Sequence, residues 1–361
     1  MVWRTSTSGV AFDRQLLIVY ICTGLIAASI GRHRLLLVLR DWLPFAVILV
    51  AYDYSRGAAK LLGAPTLWQV QPEVDRWLFF GAEPTVWLQE HLKLPHPPWW
   101  EIVVSTVYMS VFIVPYAIGG IVWLRNRNDW PAFVRRFGAI WLSALVFYAL
   151  VPAAPPWAAA RCTADELGGG PSHPGCMSRS AAGVPHGGLL GAMHESQHGA
   201  HDFVERISMR GWGALHLNAA RALIDEGQAS VNQVAAIPSV HAALSAMVVI
   251  FLWRRVHWAW RVVLVAYVLV MAFTLVYSAE HYVFDILLGW ALAAVVSLVV
   301  SRCEARMTLP ITGRISSRIA APPTAPRRGE CPVEGTGLRR LRAGDVGDPV
   351  NAHVTHTQVI W

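Results

Sequence analysis

The chain has 361 residues, 55% of them hydrophobic and only 15% charged, with a mean hydropathy of +0.41. That balance excludes an ordinary soluble enzyme and fits a polytopic membrane protein. The formal charge of +7 sits in short basic clusters beside apolar runs and in the C-terminal stretch, so it speaks for positive-inside topology and not for a nucleic-acid partner.

In chain order, Gln15–Ile30 is the first apolar run, followed by the basic cluster Arg32, His33 and Arg34. Leu35–Tyr54 reads as a second span, with Arg40 and Asp41 near its start at an interface. Asp53–Pro98 mixes charged residues with Trp68, Trp77 and Trp87 and reads as amphipathic helices lying on the outer leaflet. Trp99–Leu124 is the third span, and Arg125, Arg127, Arg135 and Arg136 mark the following loop as cytoplasmic. Phe137–Val151 is the fourth. The polar stretch 158–233 is long enough to be functional or partly disordered, with a helical, amphipathic pattern from Phe203 to Leu223. Three further spans start near Ile237, Trp258 and His281. The tail is rich in Pro, Gly, Arg and Thr and is expected to be disordered.

The Arg-rich loops alternate correctly for about seven spans, with the N-terminus outside and the C-terminus inside. Five cysteines make no disulfide framework, but Cys162 and Cys176 share one polar loop and could pair if that loop is extracytoplasmic. Basic residues are almost all Arg (the lysines are Lys60 and Lys93), a bias associated with GC-rich bacterial genomes. The expected location is therefore a bacterial plasma membrane.

Two short polar signatures stand out in these apolar surroundings: Ile237-Pro238-Ser239-Val240-His241 and Glu280-His281-Tyr282-Val283-Phe284-Asp285. Ionisable groups at the rims of membrane helices are costly and usually face a cavity or a partner. His281 and Asp285 are four residues apart, which on a helix places them on one face within hydrogen-bonding reach. An Asp against one imidazole nitrogen fixes the tautomer and makes the other nitrogen a better nucleophile or base. The topology puts His241, His281 and the long loop on one side, the outside. Ser239 also suits an N-cap for the helix that follows.

These signatures resemble the second and third motifs of the type 2 phosphatidic acid phosphatase superfamily, and most closely its branch containing inositol phosphorylceramide synthases. Ala154-Pro155-Pro156-Trp157 and Asn232-Gln233-Val234-Ala235-Ala236 are similar to that branch in bacteria. The resemblance implies a six-helix core with both histidines at the outer membrane face. It implies His281 as the nucleophile on phosphorus, Asp285 as its orienting partner and His241 as general acid and then base. Ser239 would bind a phosphate oxygen. No cofactor is implied, no metal is required, and the partner is a lipid phosphate or phospholipid. The pattern departs from the superfamily at two places. No Lys-Pro or Arg-Pro pair is present, and the Ser-Arg pair expected before the nucleophile falls on Thr274 and Leu275. Arg161 is the first substitute for the missing phosphate-clamping residue, with Arg56 and Arg210 behind it.

A second signal differs in class. His194-Glu195-Ser196-Gln197-His198 fits the zinc-peptidase pattern His-Glu-x-x-His, with His201 beyond it, although its flanks are Gly-rich and polar. The overall expectation is an all-α membrane helix bundle. Residues 1–54 form N-terminal helices, 55–98 an interfacial segment, 99–303 the catalytic core containing the loop 158–233, and 304–361 a disordered cytoplasmic tail. It would act as a lipid phosphotransferase or, through the same residues, a lipid phosphatase.

Overall fold

The structure, a computed structural model, describes residues 35–55, 62–180, 183–184, 186–194, 199–214 and 233–319. The apolar run at 15–30, Arg56 and the tail beyond residue 319 lie outside the described residues. The main helices are α1 (Leu35–Ser55), α2 (Val70–Leu78), α3 (Pro84–Leu92), α4 (Trp99–Ser110), α5 (Val114–Arg125), α6 (Trp130–Leu150), α7 (Val240–Leu252), α8 (Trp258–Tyr277) and α9 (Val283–Ile319). Residues 1–301 form one compact unit and residues 302–361 a second. The described part of the second unit is helical, so the stretch expected to be disordered from residue 304 is helix as far as Ile319.

Among the described residues, α6, α8 and the Val283–Met307 part of α9 are long and apolar enough to cross a membrane. α4 and α5 make a fourth span if taken together, bent by 51°. The count among the described residues is lower than the expected seven: the run at 15–30 lies outside them, and two of the other expected spans are locally interrupted or short. Pro115 at the start of α5 prevents α4 from running through, because proline has no N–H to continue the ladder. α7 has only 13 residues, about 20 Å of helix against a hydrocarbon core of about 30 Å. Its expected first turn, Ile237–Ser239, is irregular backbone. Arg135 and Arg136, expected in a loop, lie inside α6, where Arg136 is held by the Ala132 carbonyl and by Ser301 Oγ at 2.7 Å.

The membrane-embedded core is aromatic. Phe45 of α1 stacks on Trp130 and Phe137 of α6, and Trp42 packs on Trp130 with ring centres 4.8 Å apart. Leu142, Val146, Val263, Leu269, Val295 and Leu298 are exposed, a belt that would be unfavourable in water and is favourable against lipid chains. One end of the bundle carries ion pairs between Arg127 and Asp41 and between Arg255 and Asp129. α7 and α9 begin, and α8 finishes, at the opposite end.

At that opposite end the connecting segments fold into a second, polar-walled core. Backbone bonds knit Leu67, Ala153 and Ala235 side by side in isolated bridges. Trp68, Trp157, Leu190, Val204 and Tyr282 pack beneath them, and a Cys162–Cys176 disulfide closes part of the long loop. The loop is therefore ordered over much of its described length. Of the helical pattern expected from Phe203 to Leu223, the described residues show a short helix at Arg210–Ala214, and residues 215–232 lie outside the described residues. In the segment expected to form amphipathic helices on the outer leaflet, α2 and α3 bury Gln71, Asp75, Thr85 and Gln89. Gln89 explains why. Its amide bonds the carbonyls of Glu205 and Tyr277 at 2.7 and 2.8 Å and accepts from Glu205 N at 2.8 Å, so α3 pins the loop to the end of α8.

Candidate active site

The α8–α9 junction is built by carboxylates and carbonyls that satisfy otherwise orphaned backbone donors. At the end of α8, Ala279 N–H bonds the Val276 carbonyl and Glu280 N–H bonds the Leu275 carbonyl, with Ala279 at φ 60°. This is a Schellman termination carrying alanine where glycine is usual, a left-handed strain held by the surrounding packing. His281 N–H also reaches the Leu275 carbonyl, at 3.2 Å, which fixes the backbone of that residue. α9 then starts immediately. Asp285 Oδ2 accepts from Tyr282 N at 3.0 Å, the reach-back of a capping box from the first turn. Asp75, more than two hundred residues earlier, accepts from Val283 N and Phe284 N at 2.8 and 2.9 Å.

The same Asp285 faces the histidine. His281 Nδ1 lies 3.6 Å from Asp285 Oδ2, an ion-pair distance somewhat longer than a hydrogen bond. The expected i,i+4 pairing is thus present, but His281 precedes the helix and is not on it. Its side chain is 8% exposed and that of Asp285 fully buried. Nδ1 turns inward to the carboxylate, so the imidazole presents Nε2 outward.

His241 comes from the first turn of α7. Ser239 is the N-cap there, its Oγ accepting from Ala242 N at 3.3 Å, and its own N–H donates to the Asp285 carbonyl at 3.1 Å. Tyr148 OH holds the Pro238 carbonyl at 3.1 Å. The His241 ring stacks on Tyr108 with centres 5.0 Å apart and meets Phe112 edge-on. The two imidazole centres are 5.8 Å apart. Ser239, His241, His281 and Asp285, drawn from two distant signatures, therefore converge.

The expected cations divide. Arg210 is a structural residue, paired with both oxygens of fully buried Glu101 and with the Leu94 carbonyl. Arg56 lies outside the described residues. Arg161 lies 5.8 Å over the Trp157 ring and donates to the Met177 carbonyl at 3.0 Å. Burial and the nearby Arg206 charge lower its affinity for its proton. Trp157 N–H donates to the Ala279 carbonyl, two residues before His281. Arg206 and Asp75 escaped the reading of the sequence. Arg206 sits in a polar loop without a pattern, and Asp75 is one of several charges in a segment read as amphipathic helices on the outer leaflet. Of the zinc-peptidase pattern, Glu195 and His198 lie outside the described residues, while the backbone N–H of His194 donates to Glu90 Oε1.

Two carboxyls behind the junction carry a pH signature. Burial raises Asp75 to about 6, against the lowering effect of its two backbone bonds, and Asp285 adds to the rise. Burial likewise raises Glu83, the N-cap of α3, to about 7. A carboxyl whose folded value is raised contributes stability that is complete below its unfolded value, near 4, and is lost as pH rises through the folded value. The thermal midpoint in detergent is therefore expected to fall between about pH 4 and pH 7. Asp75→Asn is expected to flatten that fall, as measured by melts at single-unit pH steps. An unchanged slope would assign the effect to other groups.

A family model described as PAP2 superfamily matches residues 72–299, well over half of the chain, and the chain belongs to that superfamily. No curated protein and no solved structure matches it. The superfamily is one of phosphatases and phosphotransferases, so the chain is an enzyme of that class acting on a phosphate-bearing substrate in association with a membrane.

Proposed function

We propose that this PAP2 superfamily member is a lipid phosphotransferase that works through a phospho-histidine on His281. The convergence of His241 with the His281–Asp285 pair carries the reading. His281 Nε2 attacks phosphorus, and the bond to the leaving oxygen breaks as His241 delivers a proton to it. His241, now neutral, takes the proton of an acceptor hydroxyl, whose oxygen attacks phosphorus and releases His281. Asp285 steadies the imidazolium during both steps. Ser239 and Arg161 are assigned to the phosphate oxygens, where fixed donors stabilise the transition-state charge.

A lipid donor is favoured by an apolar cavity of about 500 Å³ beside the junction. Phe79 and Trp87 line it from the α2–α3 side, and Phe273, Val283, Ile286 and Leu287 from α8 and α9. Val283, two residues after His281, lines the cavity, so a hydrocarbon chain seated there lies beside the junction that carries the histidine. The acceptor is read as an inositol or another polyol, after the resemblance to inositol phosphorylceramide synthases. Water as acceptor makes the same residues a lipid phosphatase. The Arg-bearing ends of α5, α6, α7 and α8 lie opposite the histidines, which favours an extracytoplasmic site in a bacterial plasma membrane.

The test is purified protein in detergent with excess chelator, offered lipid phosphates and phosphoinositol donors with and without inositol. Headgroup transfer exceeding phosphate release, together with acid-labile phosphate retained on the protein, is the expected result. Release alone would favour the phosphatase. Activity that dies with chelator would sink the histidine reading and turn attention to His194, Glu195 and His198.

A further inference from the structure

We infer that Arg206, with Arg161 beside it on the Trp157 ring, forms the phosphate-binding seat of this site in place of the superfamily's motif arginine. The inference rests on the proposed reading and adds a residue from outside every motif. The position where the superfamily carries its arginine is Leu275, fully buried in the apolar core, so a cation must reach the phosphate from another segment. The 203–210 segment is fastened beside the α8–α9 junction that carries His281. Ile207 N–H donates to the Ser278 carbonyl, and Gln89 and Lys93 clamp the carbonyls of Glu205 and Phe203. Arg206 is thereby aligned with Glu280, the residue before His281, bonding both its oxygens at 2.8 and 3.0 Å.

The charge count also points to an anion. The Arg206 and Arg161 guanidiniums lie 5.0 and 5.8 Å from the centre of the same indole, two like charges on one ring. Glu280 bonds Arg206, whereas Arg161 donates to the neutral Met177 carbonyl, so among the described residues the two guanidiniums share one bonded carboxylate. The planar guanidinium fork matches two phosphate oxygens, which an ammonium cannot do. Trp157 is the aromatic neighbour common to both guanidiniums, and its backbone N–H donates to the Ala279 carbonyl. Glu280 is 7% exposed and held ionised by Arg206 despite its burial. It acts as a placeholder that keeps Arg206 in position and competes with the incoming phosphate.

Inorganic phosphate is the probe, measured both as a competitive inhibitor of turnover and by direct calorimetric binding to the full chain in detergent. Arg206→Ala is expected to weaken phosphate tenfold or more and to raise KM for the lipid phosphate by a similar factor, with a smaller change in kcat. Since that variant leaves a buried carboxylate without its counter-ion, Arg206→Lys is run beside it. Lysine keeps the charge for Glu280 but not the fork, and is expected to recover folding with phosphate affinity still reduced. Glu280→Gln removes the competitor and is expected to tighten phosphate several-fold. Affinity unchanged in both Arg206→Lys and Glu280→Gln would make the pair purely structural and overturn the inference, whatever His281→Ala does. Weakened binding in Arg206→Lys upholds the seat even if His281→Ala retains turnover, which would fall on the proposed mechanism alone.

Discussion

His281→Ala is expected to lower turnover by about four orders of magnitude or more on every substrate, because on the proposed mechanism it removes the atom that bonds to phosphorus. The same change leaves Asp285 as a fully buried carboxylate facing a cavity, so a loss of stability on the order of 3 kcal/mol accompanies it. His281→Gln is the companion that keeps a polar side chain near Asp285, and it should be folded and equally inactive. His241→Ala separates the two roles. A general acid contributes about 10²- to 10⁴-fold, and only to the extent that the leaving oxygen needs a proton. With a lipid phosphate or phosphodiester the loss should be in that range. With an aryl phosphate, whose phenolate leaves unaided, the first step should recover and phosphate should accumulate on His281. The measurement is a burst of phenolate release, equal to one per active site, from His241→Ala and none from His281→Ala. A burst from His281→Ala would assign the nucleophile elsewhere.

The residues to which bond making and breaking are assigned by proposal stand out in the sequence because they lie in two compact patterns. Each pattern contains its own geometric reason: Ser239 caps the helix that presents His241, and Asp285 caps the helix that follows His281. The all-α membrane class was legible from the apolar runs of α6, α8 and α9. The supporting residues were not, because their partners are remote in the chain. Asp75 caps α9 across more than two hundred residues. Arg206 gains its meaning only from Glu280 and Trp157. Nor does hydropathy register a helix that starts late: a span reads from Ile237 onward, yet residues 237–239 are spent on the irregular turn that leads into the helix carrying His241. The unbroken run 99–124 likewise hides the bend at Pro115. Arg210, a reasonable phosphate ligand by type and region, is consumed by Glu101, a partner the sequence gives no cause to pair with it.

The close approach of α7 and α9 yields the second large effect. His281, Asp285 and Gly289 follow one another at intervals of four, so Gly289 continues the face of α9 that meets the start of α7. A Cβ added at Gly289 would fall inside van der Waals contact of the Ser239 carbonyl oxygen and 3.2 Å from both Ala242 Cβ and Ala243 N. Two of these three neighbours are backbone atoms, and the third is a methyl fixed to the same helix. None can swing away as a long side chain would. Gly289→Ala must therefore push the two helices apart, and the Ser239 N–H bond to the Asp285 carbonyl is the first link to stretch. Small residues at helix crossings in membranes serve this kind of approach. Overpacking of this kind costs about 1–3 kcal/mol. The catalytic cost should be larger than the stability cost suggests, since the separation moves His241 away from His281, and a 1 Å misplacement can lower rate about 10²-fold. The signature is a fall in kcat with little change in phosphate affinity, opposite to the pattern expected for Arg206. Gly120→Ala is the matched control, because nothing lies within 4 Å of its added Cβ; it should retain full activity and melt no lower than wild type. If Gly289→Ala is as active as that control, the two histidines do not depend on this crossing for their spacing.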